Sequence, residues 1–359
     1  MSRSYLYFIF IVVVIGFGCA SVSNQTNNST GKGDAYSSSY PSQDISAELI
    51  DIEQSIKRYT TTARYRTYRF EDANLTIEQI REQNISTIAS DEFTISESKA
   101  GTAITLFNND QHAVFITAQH VLSFPDTLLS YKPESNAAKQ KIVESLSIKN
   151  KQRSHLYADE NVVELDLIAE NASKDLALIK VNKDDRNFSP RPLSINFGNA
   201  RDLKLGSFVY VFGYPLGAPM VTRGIVSAPN YDQRSSFLTD ALFNHGISGG
   251  LIVASRNNFE SFEWVGMAVS ATATQQQFLI PAPSKQKKYR NFQAYTDTAV
   301  VSEQRTINYG VTQATPIEEI IRFLLTSENE LNDLGMSVTG LRRSDEASSG
   351  AASKKIIYQ

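Results

Sequence analysis

With Cys19 as its only cysteine, the chain cannot form an internal disulfide, and the fold must rest on its apolar core alone. Neither sign of charge dominates. The 35 basic residues against 38 acidic ones give a formal net charge of −3, which sets up no field to draw in polyanions and excludes a nucleic-acid-binding role. The apolar run from Leu6 to Phe17 is too short to cross a ~30 Å hydrocarbon core as a helix. No internal repeat is present, and nothing indicates a metal or an organic cofactor. What remains is ample: 359 residues, 41% of them hydrophobic, suffice for one large domain or two modest ones.

Arg3, the run Leu6–Phe17, small Gly18 and then Cys19 have the layout of an export signal over residues 1–18, cleaved before a cysteine that becomes lipidated. Gly16 and bulky Phe17 depart from the usual pattern there. The expectation is a protein of the bacterial cell envelope, held to a membrane through a lipid on Cys19. Residues 19–43 are Ser, Asn, Thr, Gln and Gly with little to bury, and read as a disordered tether. Ile45, Leu49, Ile52 and Ile56 recur at helical spacing, so residues 44–95 read as an N-terminal extension built on an amphipathic helix.

From about Gly101 the pattern changes to short apolar runs between polar turns: GTAITLF, AVFITA, VVELDLIA, LALIKV, FVYVFGY, GIVSA, LIVAS and WVGMAVSA. Many short strands at such intervals argue for an all-β barrel or sandwich. Near the end Thr315, Pro316 and Glu318 suit the cap, first and third positions of a helix carrying Ile317, Ile320, Ile321, Leu324 and Leu325. Residues 329–359 read as a polar, disordered tail.

The sharpest local feature is GISGG, Gly246 to Gly250. Glycines on both sides let the backbone turn tightly and approach a bound carbonyl, while the hydroxyl of Ser248 projects outward. A serine hydroxyl is inert near neutral pH unless a base takes its proton, and the base needs a carboxylate to fix its tautomer. GISGG also fits the elbow of α/β-hydrolases, whose histidine follows the serine, but His112, His120, His155 and His245 all precede Ser248. His112 and His155 read as solvated loop residues, and His245, three residues from Ser248, as lining a cleft. His120 ends the apolar strand AVFITA, so a rigid element would aim it. Among acids, Asp166 reads as solvent-facing, whereas Asp175 opens DLALIKV after a polar turn and can enter a barrel seam as a buried charge that needs a partner. The order His120, Asp175, Ser248 is one of the known triad orders.

Taken together, ITAQHVL, KDLALIKV, VYVFGYPLG, TRGIVSA and TDALFNHGISGG resemble the successive signature blocks of HtrA/Deg-type serine proteases, within the trypsin-like superfamily. The resemblance implies two six-stranded antiparallel β-barrels of the chymotrypsin-like kind with a closing C-terminal helix, over residues 96–328. It implies His120 as general base, Asp175 as its orienting acid, Ser248 as nucleophile, and the N–H groups of Gly246 and Ser248 as the oxyanion hole. Leu242 falls where such enzymes place the base of the S1 pocket, so small or apolar P1 residues are expected. Ala268, Val269 and Ser270 fall on the wall where substrate pairs as an added strand. Polypeptides are thus the expected substrates, and no cofactor is implied. Ile247 stands where the family usually has Asp or Asn, which removes a zymogen switch built on that carboxylate. Residues 271–306, with the basic run KQKKYR, form an insertion, and a PDZ domain is expected to be absent. A silent protease fold acting as a scaffold is the competing reading, and the intact triad argues against it.

Overall fold

The computed structural model describes residues 35–71, 74–132, 141–158, 161–183, 188–232, 236–242, 244–256, 259–281 and 299–338, with side chains omitted for 270–281 and 299–309. The signal segment, Cys19 and most of the tether lie outside the described residues.

The first half runs α1 (Ser46–Glu53), β1 (Ile56–Arg69), α2 (Ile77–Arg81), α3 (Ile85–Ile88), β2 (Asp91–Asn108), β3 (His112–Thr117) and α4 (Gln119–Leu122). It continues through β4 (Thr127–Tyr131), β5 (Val143–Ala158), β6 (Asn161–Glu164), β7 (Asp166–Asn171) and β8 (Leu176–Asn182). Hydrogen bonding orders the sheet β4-β5-β1-β2-β3-β8-β7, with β6 on β5. Only Leu165 separates β6 from β7, and its N–H donates to Ser154 O at 2.9 Å. One broken strand therefore joins β5 to β8 and rounds the sheet into a first barrel. Ile56, Tyr59, Ile104, Leu106, Val114, Ile116 and Leu178 are fully buried in it.

The second half contains β9 (Asn196–Phe197), β10 (Phe208–Gly213), β11 (Met220–Ala228), β12 (Phe237–Thr239), β13 (Gly250–Arg256), β14 (Ser261–Pro281), β15 (Ala299–Pro316), α5 (Ile317–Thr326) and α6 (Glu328–Asp333). Six of its strands, in the order β13-β10-β11-β12-β15-β14, close on themselves through a β13–β14 pairing. Every residue of β10 is buried, as expected of the near-continuous apolar run FVYVFG. The two barrels share one contiguous apolar core, and the expected double-barrel architecture is present.

Several boundaries differ from the sequence reading. The helix expected over the extension ends at Glu53, and Ile56 instead begins β1, a long strand between β5 and β2. The segment 56–69 is rich in Thr, Tyr and Arg, so apolar periodicity misses it, yet Thr and Tyr are good strand formers. Beyond a register shift at Arg64/Tyr65, β1, β2, β5 and β4 leave the barrel as a four-stranded lobe. Under α2 and α3 the lobe has its own small core of Tyr68, Phe70, Ile80, Val143 and Leu146. Residues 44–95 are thus part of the first barrel and its lobe, not a separate extension.

The tether ends earlier than residue 43. Tyr36 is buried, its hydroxyl donates to Glu263 Oε2 at 2.7 Å, and Phe208 N donates to Ser37 O at 2.8 Å. At the other end α6 and the buried residues Leu331, Met336 and Val338 extend the fold ten residues past the expected boundary of 328. These apolar residues are too sparse to register as a pattern, but each finds the core. The expected capping box does not form: Thr315 remains in β15 opposite Met267, Pro316 occupies the cap position, and Glu318 accepts Ala200 N–H instead. Of the insertion, β14 and β15 run out together as a two-stranded ribbon from Ala273–Ile307 to Pro281–Ala299, and KQKKYR lies outside the described residues.

Candidate active site

The β3–β8 ladder sets two of the three candidate residues side by side. Thr117 pairs with Ala177, so the residues just past the end of β3 face those just before the start of β8. His120 lies in the single turn of α4, and Asp175 ends the turn that precedes β8. Asp175 has φ +56°, a left-handed conformation that Asp tolerates better than most residues. From there its carboxylate takes two hydrogen bonds from one partner. Oδ1 accepts the backbone N–H of His120 at 2.8 Å, and Oδ2 lies 2.7 Å from ring Nδ1. The second contact fixes the tautomer in which Nε2 carries no proton, and Nε2 lies 3.0 Å from Ser248 Oγ.

Ser248 belongs to the second barrel and reaches the histidine through a glycine turn. Gly246 has φ +103°, and a Cβ there would sit 2.2 Å from Tyr214 O; at Gly249, φ +84°, a Cβ would sit 2.1 Å from Thr102 O. Only glycine fits either position. Among the described residues no acceptor takes the N–H of Gly246 or of Ser248. Both donors are therefore free to receive a developing oxyanion. Ile247 is buried, in keeping with an apolar residue where the family has a carboxylate.

Sequence reasoning missed the residues that hold this arrangement. Thr102 of β2 donates its N–H to Ser248 O at 2.8 Å and its hydroxyl to Gly246 O at 2.7 Å, while its Oγ1 accepts Tyr214 N–H at 3.0 Å. It clamps the serine turn to the first barrel. Lys99, three residues earlier, donates to His120 O at 2.9 Å and Ser123 O at 2.6 Å, capping the C-terminal carbonyls of α4 with a cation. Burial lowers the Lys99 pKa, although the charges of Glu97 and Asp175 oppose the shift. Behind Asp175, Lys174 O accepts the Thr315 hydroxyl at 3.1 Å and Lys174 Nζ lies 2.8 Å from buried Glu319. Burial would raise the pKa of Glu319, but hydrogen bonds from Lys174 and Arg322 outweigh it and hold the carboxyl below its usual range. No local motif marks these residues, because each acts across a sequence gap.

Other expected residues fall differently. His112 and His155 are half-buried in β3 and β5 rather than in loops, and His112 Nδ1 meets Asn182 Oδ1. Asp166 is exposed, as expected, and accepts from Asn182. His245 is exposed next to the serine turn. Leu242 is 58% exposed and does not form a buried pocket floor. The physical reason is its neighbour: Ala241 is held inward by Thr312 and Thr239 hydroxyls, which turns Leu242 out. Ala268 pairs with Gly250 on one side and Ala314 on the other, so its own edges are taken. Because β13 stops at Gly250, β14 from Val269 onward has β15 on one side and no strand on the other among the described residues. Of Ser270 the strand pairing is described and the side chain is not.

An Asp–His–Ser array between a first barrel rounded from an eight-stranded sheet and a closed six-stranded second barrel is the arrangement of the trypsin-like fold. Consistent with this, residues 101–260 match the trypsin-like peptidase domain family. Among curated proteins, the chain is 24% identical over 255 residues to "Serine protease HtrA-like" of Staphylococcus haemolyticus, covering 63% of this chain and 35% of the relative. It is 30% identical over 129 residues to "Serine protease Do-like HtrA" of Lactobacillus helveticus, covering 33% of this chain and 30% of the relative. A third match, 39% over 90 residues, is to "Probable periplasmic serine endoprotease DegP-like" of Hahella chejuensis, covering 23% of this chain and 18% of the relative. The chain thus spans about a third or less of the length of these relatives. Within the trypsin-fold class the chain is similar to HtrA-like proteases.

Proposed function

We propose that this protein is a serine endopeptidase that hydrolyses polypeptides through an acyl-enzyme. The observation that carries the reading is the continuous set of contacts Asp175 Oδ2–His120 Nδ1, 2.7 Å, and His120 Nε2–Ser248 Oγ, 3.0 Å. In the proposed sequence Nε2 takes the hydroxyl proton as Oγ attacks the scissile carbonyl, and Asp175 stabilises the imidazolium that forms. The Gly246 and Ser248 N–H groups receive the oxyanion, a contribution of about 3 kcal/mol for a single donor in comparable sites. His120 then protonates the leaving amine, water enters, and the same imidazole drives deacylation.

The substrate segment before the bond lies as a strand on the free edge of β14 from Val269 onward. A small or apolar P1 residue suits the apolar wall at Ala268 and Val269. Export to the bacterial envelope is supported by the signal layout ending at Cys19, the proposed lipid attachment point, and by the word periplasmic in one relative's name. No helix among the described residues is long and apolar enough to cross a membrane.

The test is a fluorophosphonate probe on the wild type and on Ser248→Ala. Labelling of the wild type alone is expected. No labelling of either protein would favour the scaffold reading. For the anchor, detergent partitioning of the full chain should be lost in Cys19→Ala, and unchanged partitioning would remove the lipid from the proposal.

A further inference from the structure

Thr102 fastens the barrels together at the nucleophile, and a second contact between them lies at the acid. Its first-barrel member is Lys174, the residue before Asp175. The Lys174 carbonyl accepts the hydroxyl of Thr315, in β15, at 3.1 Å, and the ammonium lies 2.8 Å from Glu319, in α5. One turn residue is thus tied, by backbone and by side chain, to the barrel that delivers Ser248.

Glu319 is buried and Lys174 half-buried. An ion pair in such a place adds little net stability, because desolvation offsets the attraction. What it supplies is a fixed separation. Close-packed side chains fix the separation of two surfaces wherever they fill the space between them, and the barrels do share one apolar core. At the acid the seam opens instead into a recess of about 150 Å³, lined mostly by polar residues, among them Lys174, Asp175, Thr315 and Glu319, with Val269 of β14. Beside an unfilled recess, the hydrogen bond and the ion pair are what hold the turn at its distance from the second barrel.

We propose that Lys174 is a positioning residue: with Thr315 and Glu319 it docks the acid's end of the first barrel onto the second. It thereby sets the approach of His120 to Ser248 from the other end of the triad to Thr102. This rests on the endopeptidase reading above. The His120–Asp175 contact lies within the first barrel and survives a loosened seam, whereas the His120–Ser248 contact at 3.0 Å crosses between the barrels and lengthens.

Loss of one partner alone would leave the other charge buried and unpaired, so the test uses the double variant Lys174→Met/Glu319→Gln, which leaves neither. Its rate constant for fluorophosphonate labelling, which does not depend on how much of the sample is folded, should fall about tenfold, within the range that a small misplacement near a catalytic group costs. Lys174→Arg keeps the pair and should label at close to the wild-type rate. A pair with a purely structural role predicts the wild-type rate constant in the double variant as well.

Amide hydrogen exchange reads the docking itself. Thr102 N–H donates across the seam to Ser248 O, and Tyr214 N–H donates back across it to Thr102 Oγ1. Both amides should exchange about tenfold faster in the double variant, while those of the β3–β8 ladder keep their protection. Wild-type labelling and wild-type seam exchange in the double variant would overturn the proposal. So would slower labelling with the seam unchanged, or with the downfield proton of the His120–Asp175 hydrogen bond lost, since either places the effect inside the first barrel. Faster seam exchange without fluorophosphonate labelling of the wild type would sink only the enzyme, and labelling with an unmoved seam only the clamp.

Discussion

The two barrels deliver their share of the candidate triad by different means. In the first, His120 and Asp175 flank paired strands, so the β3–β8 register already makes them neighbours, and the doubled contact of one carboxylate with ring and backbone completes the geometry. In the second, Ser248 has no such neighbour, and its distance to His120 depends on how the barrels dock, which Thr102 sets through three hydrogen bonds. The base–acid contact is thus a property of one sheet, while the base–nucleophile contact is a property of an interface.

The largest expected effect falls on the first kind of contact. Asp175→Asn would offer an amide N–H to ring Nδ1 and hold the wrong tautomer, so kcat should fall about 10⁴-fold while thermal unfolding changes little. A fully active variant would mean the acid is misassigned.

Next is the shared core. Trp264 is buried in the second barrel, its indole N–H donating to Gly266 O at 2.8 Å. Trp264→Ala should cost about 3–5 kcal/mol in urea unfolding, in a single transition because the core is continuous. Two resolved transitions would show the barrels to be energetically separate and would sharpen the contrast between them.

Thr102→Val tests the interface directly. It leaves the Gly246 carbonyl and the Tyr214 N–H without their hydroxyl partner, at about 1–3 kcal/mol each if they stay dry. Fluorophosphonate labelling should slow by about 10²-fold, while the downfield proton resonance of the His120–Asp175 hydrogen bond persists. Loss of both signals together would dissolve the distinction between sheet and interface.

The smallest effect concerns Glu318, one residue into the closing helix. Burial raises its pKa, outweighing the backbone hydrogen bonds and the Arg201 charge that lower it, and its Oε2 has no partner among the described residues. A raised folded-state pKa gives stability that is present below the ordinary carboxylate range and is lost as pH rises through the folded value. Glu318→Gln should therefore gain in Tm relative to wild type between pH 4 and pH 8, by a few degrees at most. A constant difference across that range would show the carboxylate to be solvated.

The same division between sheet and interface explains what could be read from the sequence. His120, Asp175 and Ser248 were legible because each sits in a local signature: a strand end, a turn before a strand, a glycine turn. The barrels were legible from short apolar runs. The lobe was not, because IKRYTTTARYRTYR alternates Thr and Tyr with Arg and buries its residues only after β5 and two short helices cover it. Thr102 and Lys99 carry no signature at all, since a threonine and a lysine in a strand have meaning only once a distant carbonyl arrives beside them. The place of Leu242 comes from the family resemblance alone, which does not contain the hydrogen bonds of Ala241 to Thr239 and Thr312.

β2 is a single strand of 18 residues, buried at one end, where its pairing with β3 shifts register between Thr105 and Phe107, and exposed at the other, in the lobe. Asp91 and Thr102 are separated along it by about 36 Å of stiff, paired backbone. One strand thus carries both the outer end of the lobe and the hydroxyl that donates to Gly246 O, so the lobe and the serine turn share a single backbone member.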